Sequence, residues 1–152
     1  MKLKDSVQAW LNGALNDPIV NILAKNSQLT KTQLETLLID VLAENIAGKS
    51  LNYDEKAALR LTKAKLSRGA FNRTLEQSKK NVTRSIYTVL LLGYLGVFES
   101  TTLDPYLEIA NKLKEYVEAF DNMPEGLEEA ENRIKSIELI KEEIEKSLKQ
   151  FS

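Results

Sequence analysis

Arg68, Asn72, Arg73, Gln77 and Lys80 fall close together in a stretch whose pattern is helical. Arginine or lysine can grip guanine through O6 and N7, and asparagine or glutamine can grip adenine through N6 and N7, at ~1–3 kcal/mol of discrimination for each good pair. Lys63, Lys65, Lys79 and Arg84 stand around them, with Lys56 and Arg60 upstream, and these are the residue types that neutralise phosphates. The chemistry implied is recognition of a polyanion with base edges, not bond breaking. The plainer alternative is a solvated helix face, with Glu76 and Lys80 forming an i,i+4 pair worth only ~0.2–0.5 kcal/mol.

Those side chains need a helix to display them. Ser67 is a suitable N-cap, since its hydroxyl can accept a helix-start N–H. Apolar or small residues then recur at Phe71, Leu75, Ser78, Val82, Ile86, Val89, Gly93 and Val97, the spacing of one buried stripe. At roughly 100° per residue the opposite stripe carries Gly69, Arg73, Glu76, Lys80 and Arg84, flanked by Asn72 and Gln77. The segment 66–98 thus begins as a basic helix and ends as an apolar one. Residues 86–98 are too few for the ~20 that span a bilayer, so a buried central helix or a dimer seam is expected and no membrane insertion.

The chain has 152 residues, enough for one domain with an appended arm and a substantial core. It contains no cysteine and no histidine. Disulfides, cysteine–zinc sites and serine or cysteine nucleophiles activated by histidine are therefore excluded within it. The carboxylate pairs Glu128-Glu129 and Glu142-Glu143 splay apart on a helix, and no glycine-rich phosphate loop is present, so no catalysis, cofactor or metal is expected. Residues 1–5 lead into an amphipathic run and not an apolar one, which suggests a cytoplasmic protein.

The formal net charge of −1 conceals segregation. Residues 56–84 hold nine basic side chains against the single acid Glu76, a net +8, whereas residues 101–152 hold thirteen acids and seven bases, a net −6. A basic middle and an acidic tail suit a polyanion-binding element joined to a solvated or self-associating one.

The order of elements reads as all-α. A first helical run from Asp5 to about Asn26 is interrupted at Asn16-Asp17-Pro18, with Val7, Trp10, Leu11, Leu15, Val20, Ile22 and Leu23 as its apolar side. Thr30 and Gln33 form a capping box that opens a helix with Leu34, Leu37, Leu38, Val41, Leu42 and Ile46 inward, closed by Gly48. Asn52 to Glu55 starts another, with Ala57, Ala58, Leu61 and Ala64 inward and Lys56, Arg60, Lys63 and Lys65 outward. A short turn at 66–69 then precedes the basic helix. Helix, tight turn and reading helix over about 52–80 is the order of a helix-turn-helix.

Leu29-Thr30-Lys31-Thr32-Gln33, Asn52-Tyr53-Asp54-Glu55-Lys56-Ala57 and Ser67-Arg68-Gly69-Ala70-Phe71-Asn72-Arg73-Thr74-Leu75 together resemble the helix-turn-helix of region 4 in sigma-70-type factors and related regulators. There a Tyr-x-Glu-(apolar)-Ala stretch begins the supporting helix and a Ser-x-Gly-Thr-Val-x-x-x-Leu stretch the recognition helix. The resemblance covers residues 29–84. It implies a helix-turn-helix of this general type; with the basic segment read above, the partner expected is double-stranded DNA, contacted by Lys63, Lys65, Ser67, Arg68, Asn72, Arg73, Glu76, Gln77, Lys79, Lys80 and Arg84. The chain departs from it in a supporting helix read as one turn longer and in Lys56 at an apolar position.

Asp104-Pro105 and Met123-Pro124 each look like a helix start with proline in the first turn. The second of these repeats Leu127, Ile134, Ile137, Ile140, Ile144 and Leu148 at near-heptad spacing, a candidate homodimer seam. The organisation expected is a helical domain over 1–98 and a C-terminal helical hairpin or coiled-coil arm over 99–152. The function expected is a homodimeric DNA-binding regulator or nucleoid-associated factor. The alternative is a helical scaffold whose basic helix binds an acidic protein partner or the chain's own acidic tail.

Overall fold

The computed structural model describes residues 2–97 and 104–121, with single positions between 135 and 142. The described residues are helical, without a strand, and the chain divides into compact units at 1–89 and 90–152. In the first unit, α1 (Leu3–Leu15) buries Val7, Leu11 and Leu15, four residues apart on one stripe. The chain breaks at Asp17-Pro18 as its proline requires. The Asp17 carboxylate accepts the N–H groups of Ile19 (2.8 Å) and Val20 (3.1 Å), which starts α2 (Pro18–Lys25). Ile19 is buried, while Trp10 and Leu23 stay exposed.

Reciprocal caps set the next two helices. Gln33 N–H donates to Thr30 Oγ1 and Thr30 N–H to Gln33 Oε1, opening α3 (Lys31–Ala47). Gly48 closes α3 at φ +65°, a left-handed conformation that costs a glycine little. Asn52 and Glu55 repeat the box at 2.8 and 2.9 Å to open α4 (Tyr53–Ala57). A side-chain N-cap of this kind is worth ~1 kcal/mol.

The core joins Val7 and Leu11 of α1 to Ile39 and Ala43 of α3, with Leu51, Ala57, Leu59, Phe71 and Leu75 from the rest of the unit. This corrects the face expected for α3. Val41 and Ile46 are exposed and Leu34, Leu37, Leu38 and Leu42 half-buried, while Glu35, Thr36, Ile39 and Ala43 point inward. Apolar residues run almost all round this helix, so hydrophobic spacing does not choose a face. Buried polar partners of Glu35 and Thr36 choose it instead.

The supporting helix is also shorter than the sequence suggested, not longer. α4 stops at Ala57, Ala58 and Ala64 are exposed, and residues 58–67 form a ten-residue connection of turn and bends, its first amides still bonded back to α4, in place of a tight turn. Its first part is held by side chains. Gln8 Nε2 donates to the carbonyls of Arg60 (2.9 Å) and Leu59 (3.4 Å), and the N–H of Leu61 donates to Glu35 Oε1 at 2.6 Å. With those backbone groups satisfied from α1 and α3, this stretch has no need of a helical ladder.

α5 (Arg68–Tyr94) is one continuous helix. The N–H of Ala70 donates to Ser67 Oγ at 3.1 Å, so Ser67 is its N-cap. Phe71, Leu75 and Ser78 are buried. Ser78 Oγ lies 3.0 Å from the Gln33 carbonyl, and Asn81 Nδ2 donates to the Gln28 carbonyl and Gln33 Oε1, fastening α5 to the start of α3. Further along, the expected stripe fails. Val82 and Val89 are half-buried and Gly93 buried, but Ile86 and Val97 are exposed.

In the second unit, α6 (Asp104–Asp121) begins at Asp104-Pro105 as expected, with Leu113 buried and Leu107 exposed. Met123-Pro124 and the seam residues Leu127, Ile134, Ile137, Ile140, Ile144 and Leu148 lie outside the described residues. No described helix is long and apolar enough to cross a membrane.

Candidate nucleic-acid interface

Burial of Phe71, Leu75 and Ser78 fixes the rotation of α5 and thereby sends Arg73, Glu76, Gln77, Lys80 and Arg84 outward. All five are exposed. From Arg73 to Arg84 the row is about 16 Å long at 1.5 Å per residue. Lys63 and Lys65 are exposed on the 58–67 connection. Arg68 is exposed at the head of α5, its guanidinium 5.9 Å from the centre of the Tyr53 ring.

Other predicted contacts have different work. Ser67 is committed to its cap. Asn72 sits at the margin of the buried stripe, half-buried, with its Oδ1 enclosed and without a hydrogen-bond partner. Its amide is not displayed with the outward row. Lys79 lies on the flank toward α3, 3.3 Å from Asp40 Oδ2.

Lys56 and Arg60, expected outward against phosphates, are buried. Lys56 Nζ lies 3.0 Å from Asp40 Oδ1 and 3.5 Å from Glu44 Oε1, and also donates to the Asp40 carbonyl. The Tyr53 ring covers it at 5.5 Å. Arg60 Nε is 3.0 Å from Glu35 Oε1, although its N–H is not well aimed, and Arg60 donates to Thr36 Oγ1 at 3.3 Å. Three of the nine positive charges in 56–84 are thus offset by α3 acids. Arg73, Lys80 and Arg84 have no acid within ion-pair distance among the described residues.

The ion pairs show in the ionisation of their members. Burial alone pulls the Lys56 pKa down, but hydrogen bonding and charge from Asp40, followed by Glu44, outweigh it and leave the pKa above its ordinary 10.5. Glu44 is held below its ordinary 4.5, first by the N–H of Leu51 and then by the charge of Lys56. The raised lysine contributes stability below pH 10.5 that is lost as pH rises through its folded pKa. The lowered glutamate contributes stability above pH 4.5 that is lost as pH falls through its own. We expect a thermal midpoint that holds through neutrality and falls at both extremes. Glu44→Gln should make the acid limb shallower, which calorimetry at stepped pH would show.

Sequence reasoning missed the acids of α3. The available signal was only a set of opposite charges on consecutive elements, Glu35, Asp40 and Glu44 against Lys56 and Arg60, whose spacing does not give the observed pairing of Lys56 with Asp40 and Glu44 and of Arg60 with Glu35. No cluster of three or more potential metal ligands occurs among the described residues. Comparison with protein-family models, curated proteins and solved structures gave no match.

Proposed function

We propose that this chain is a non-enzymatic, double-stranded DNA-binding protein, a transcriptional regulator or nucleoid-associated factor that acts as a homodimer. The observation that carries the reading is the outward row Arg73, Gln77, Lys80 and Arg84 on α5, exposed along a helix anchored from behind by Phe71 and Leu75. Because the connection before α5 is long, we assign the contacts to α5 itself, with Gln77 at base edges and Arg73, Lys80 and Arg84 against phosphates, joined by backbone contacts from Lys63, Lys65 and Arg68. Asn72, Lys79, Lys56 and Arg60 support the fold instead. The test is binding of the full chain to random and to pool-selected duplexes over a salt series. A steep loss of affinity with salt and at least ~10³-fold preference for selected sequence support a regulator. A steep slope without preference supports a nucleoid factor, and no binding at low salt overturns both.

A protein-interaction role has one observation in its favour: Tyr87, Leu90, Leu91 and Tyr94 are exposed on α5. An acidic peptide that competes with DNA for Lys80 would favour that reading.

A further inference from the structure

The body of α2 and the start of α3 border a cavity of about 270 Å³ whose lining lies wholly within residues 15–34 of the first unit. Its apolar lining is Leu15, Val20, Ala24, Leu29 and Leu34, with Leu15 buried and the others half-buried. Hydrogen bonds hold the loop that walls it. Ser27 Oγ donates to the Ala24 carbonyl at 2.8 Å and accepts the N–H of Leu29 at 3.1 Å, and Asn81 Nδ2 of α5 donates to the Gln28 carbonyl at 3.2 Å.

Lys25 and Lys31 also line the cavity, both exposed, and no acid does. Neither has an acid within ion-pair distance among the described residues. Lys25 suits its place in the last turn of α2, where a helix end is negative, but Lys31 does not suit its own. It is the first residue of α3, at the positive end of a helix with no acid in its first turn, so its charge and the helix end add. An apolar floor with two such cations beside it can hold a small molecule that has one anionic head.

We propose that this cavity binds a compact monocarboxylate with an apolar body, the body seated on Leu15, Val20, Ala24, Leu29 and Leu34 and the carboxylate shared by Lys25 and Lys31. Size sets the class of occupant. The volume falls just below the ~300–1,000 Å³ of ordinary ligand pockets, which calls for a small molecule. A helix, ~10–12 Å across with its side chains, does not enter such a space. An acidic side chain from elsewhere in the chain would meet the lysines and leave the apolar floor unfilled. The site stands independently of the DNA reading.

The test is titration of the full chain, methyl-labelled at valine and leucine, with butanoate, hexanoate and octanoate, followed by nuclear magnetic resonance. We expect saturable shifts at the methyls of Val20, Leu29 and Leu34, with a Kd for octanoate on the order of a millimolar or tighter. Affinity should rise about two- to four-fold for each methylene added. Lys25→Glu/Lys31→Glu, at two exposed positions, should weaken octanoate on the order of ten-fold and bind octylammonium better than the parent does, with a thermal midpoint no lower. Lys25→Gln/Lys31→Gln should fall between them, and it removes the charge without reversing it. No saturable shift at those methyls, no gain with chain length, equal binding of octanoate and octylammonium by the parent, or octanoate affinity unchanged in both variants overturns the site. DNA affinity enters none of these readouts, so failure here leaves the DNA reading standing.

Discussion

Glu35→Ala is expected to destabilise the first unit by about 3–5 kcal/mol, the range for breaking a buried ion pair by deleting one partner. The carboxylate lies 3.0 Å from the buried Arg60 and also accepts the N–H of Leu61 at 2.6 Å. Alanine would leave a guanidinium enclosed with only Thr36 beside it and a backbone donor without its acceptor. Denaturant melts followed by circular dichroism measure the loss. Glu35→Leu combined with Arg60→Met should recover the part due to the unpaired guanidinium, since two apolar side chains can replace a buried pair at little cost, and leave the part due to the Leu61 N–H, which still lacks its acceptor. A single-variant loss below ~1 kcal/mol would mean that water already reaches the pair.

The second large effect concerns DNA. Arg73→Ala/Lys80→Ala/Arg84→Ala should flatten the salt dependence of binding by about three in log–log slope, nearly one for each phosphate no longer neutralised. Affinity at moderate salt should fall at least ~100-fold on the same grounds. The neighbouring lysines make a sharper comparison. Lys80 points outward, whereas Lys79 leans on Asp40, so Lys80→Ala should change the slope and Lys79→Ala should leave it nearly intact. Equal effects at 79 and 80 would mean that α5 is not presented to DNA by this face.

Local signals were legible in the sequence, and nonlocal ones were not. Pro18, the boxes Thr30/Gln33 and Asn52/Glu55, Gly48 and the Ser67 cap depend on neighbours within a few residues, and each marks an observed helix end. The outward row on α5 was readable because Phe71 and Leu75 fix its phase. The face of α3 was not, because its leucines surround the helix and the deciding partner, Arg60, lies 24 residues beyond Thr36. The same long-range pairing hid the end of α4, since Leu61 and Ala64 continue a plausible apolar pattern until Gln8 and Glu35 take over the backbone bonds. Charge counting failed for a related reason. Composition gives the sign of Lys56 and Arg60 but not whether an acid elsewhere has claimed them.

The 58–67 connection is also two different kinds of chain. Residues 59–61 are built into the core by Gln8 and Glu35, so an added residue there would shift the register of Leu59 and strand Arg60. Residues 62–65 are exposed, and among the described residues their only hydrogen bond to a side chain is the local one from Ala64 N–H to the Thr62 hydroxyl. Length can vary there at a small entropic cost, because closing a slightly longer loop is only weakly less favourable. Lys63 and Lys65 thus sit on the one part of the first unit's basic segment whose span evolution or an engineer could lengthen without disturbing the helices on either side.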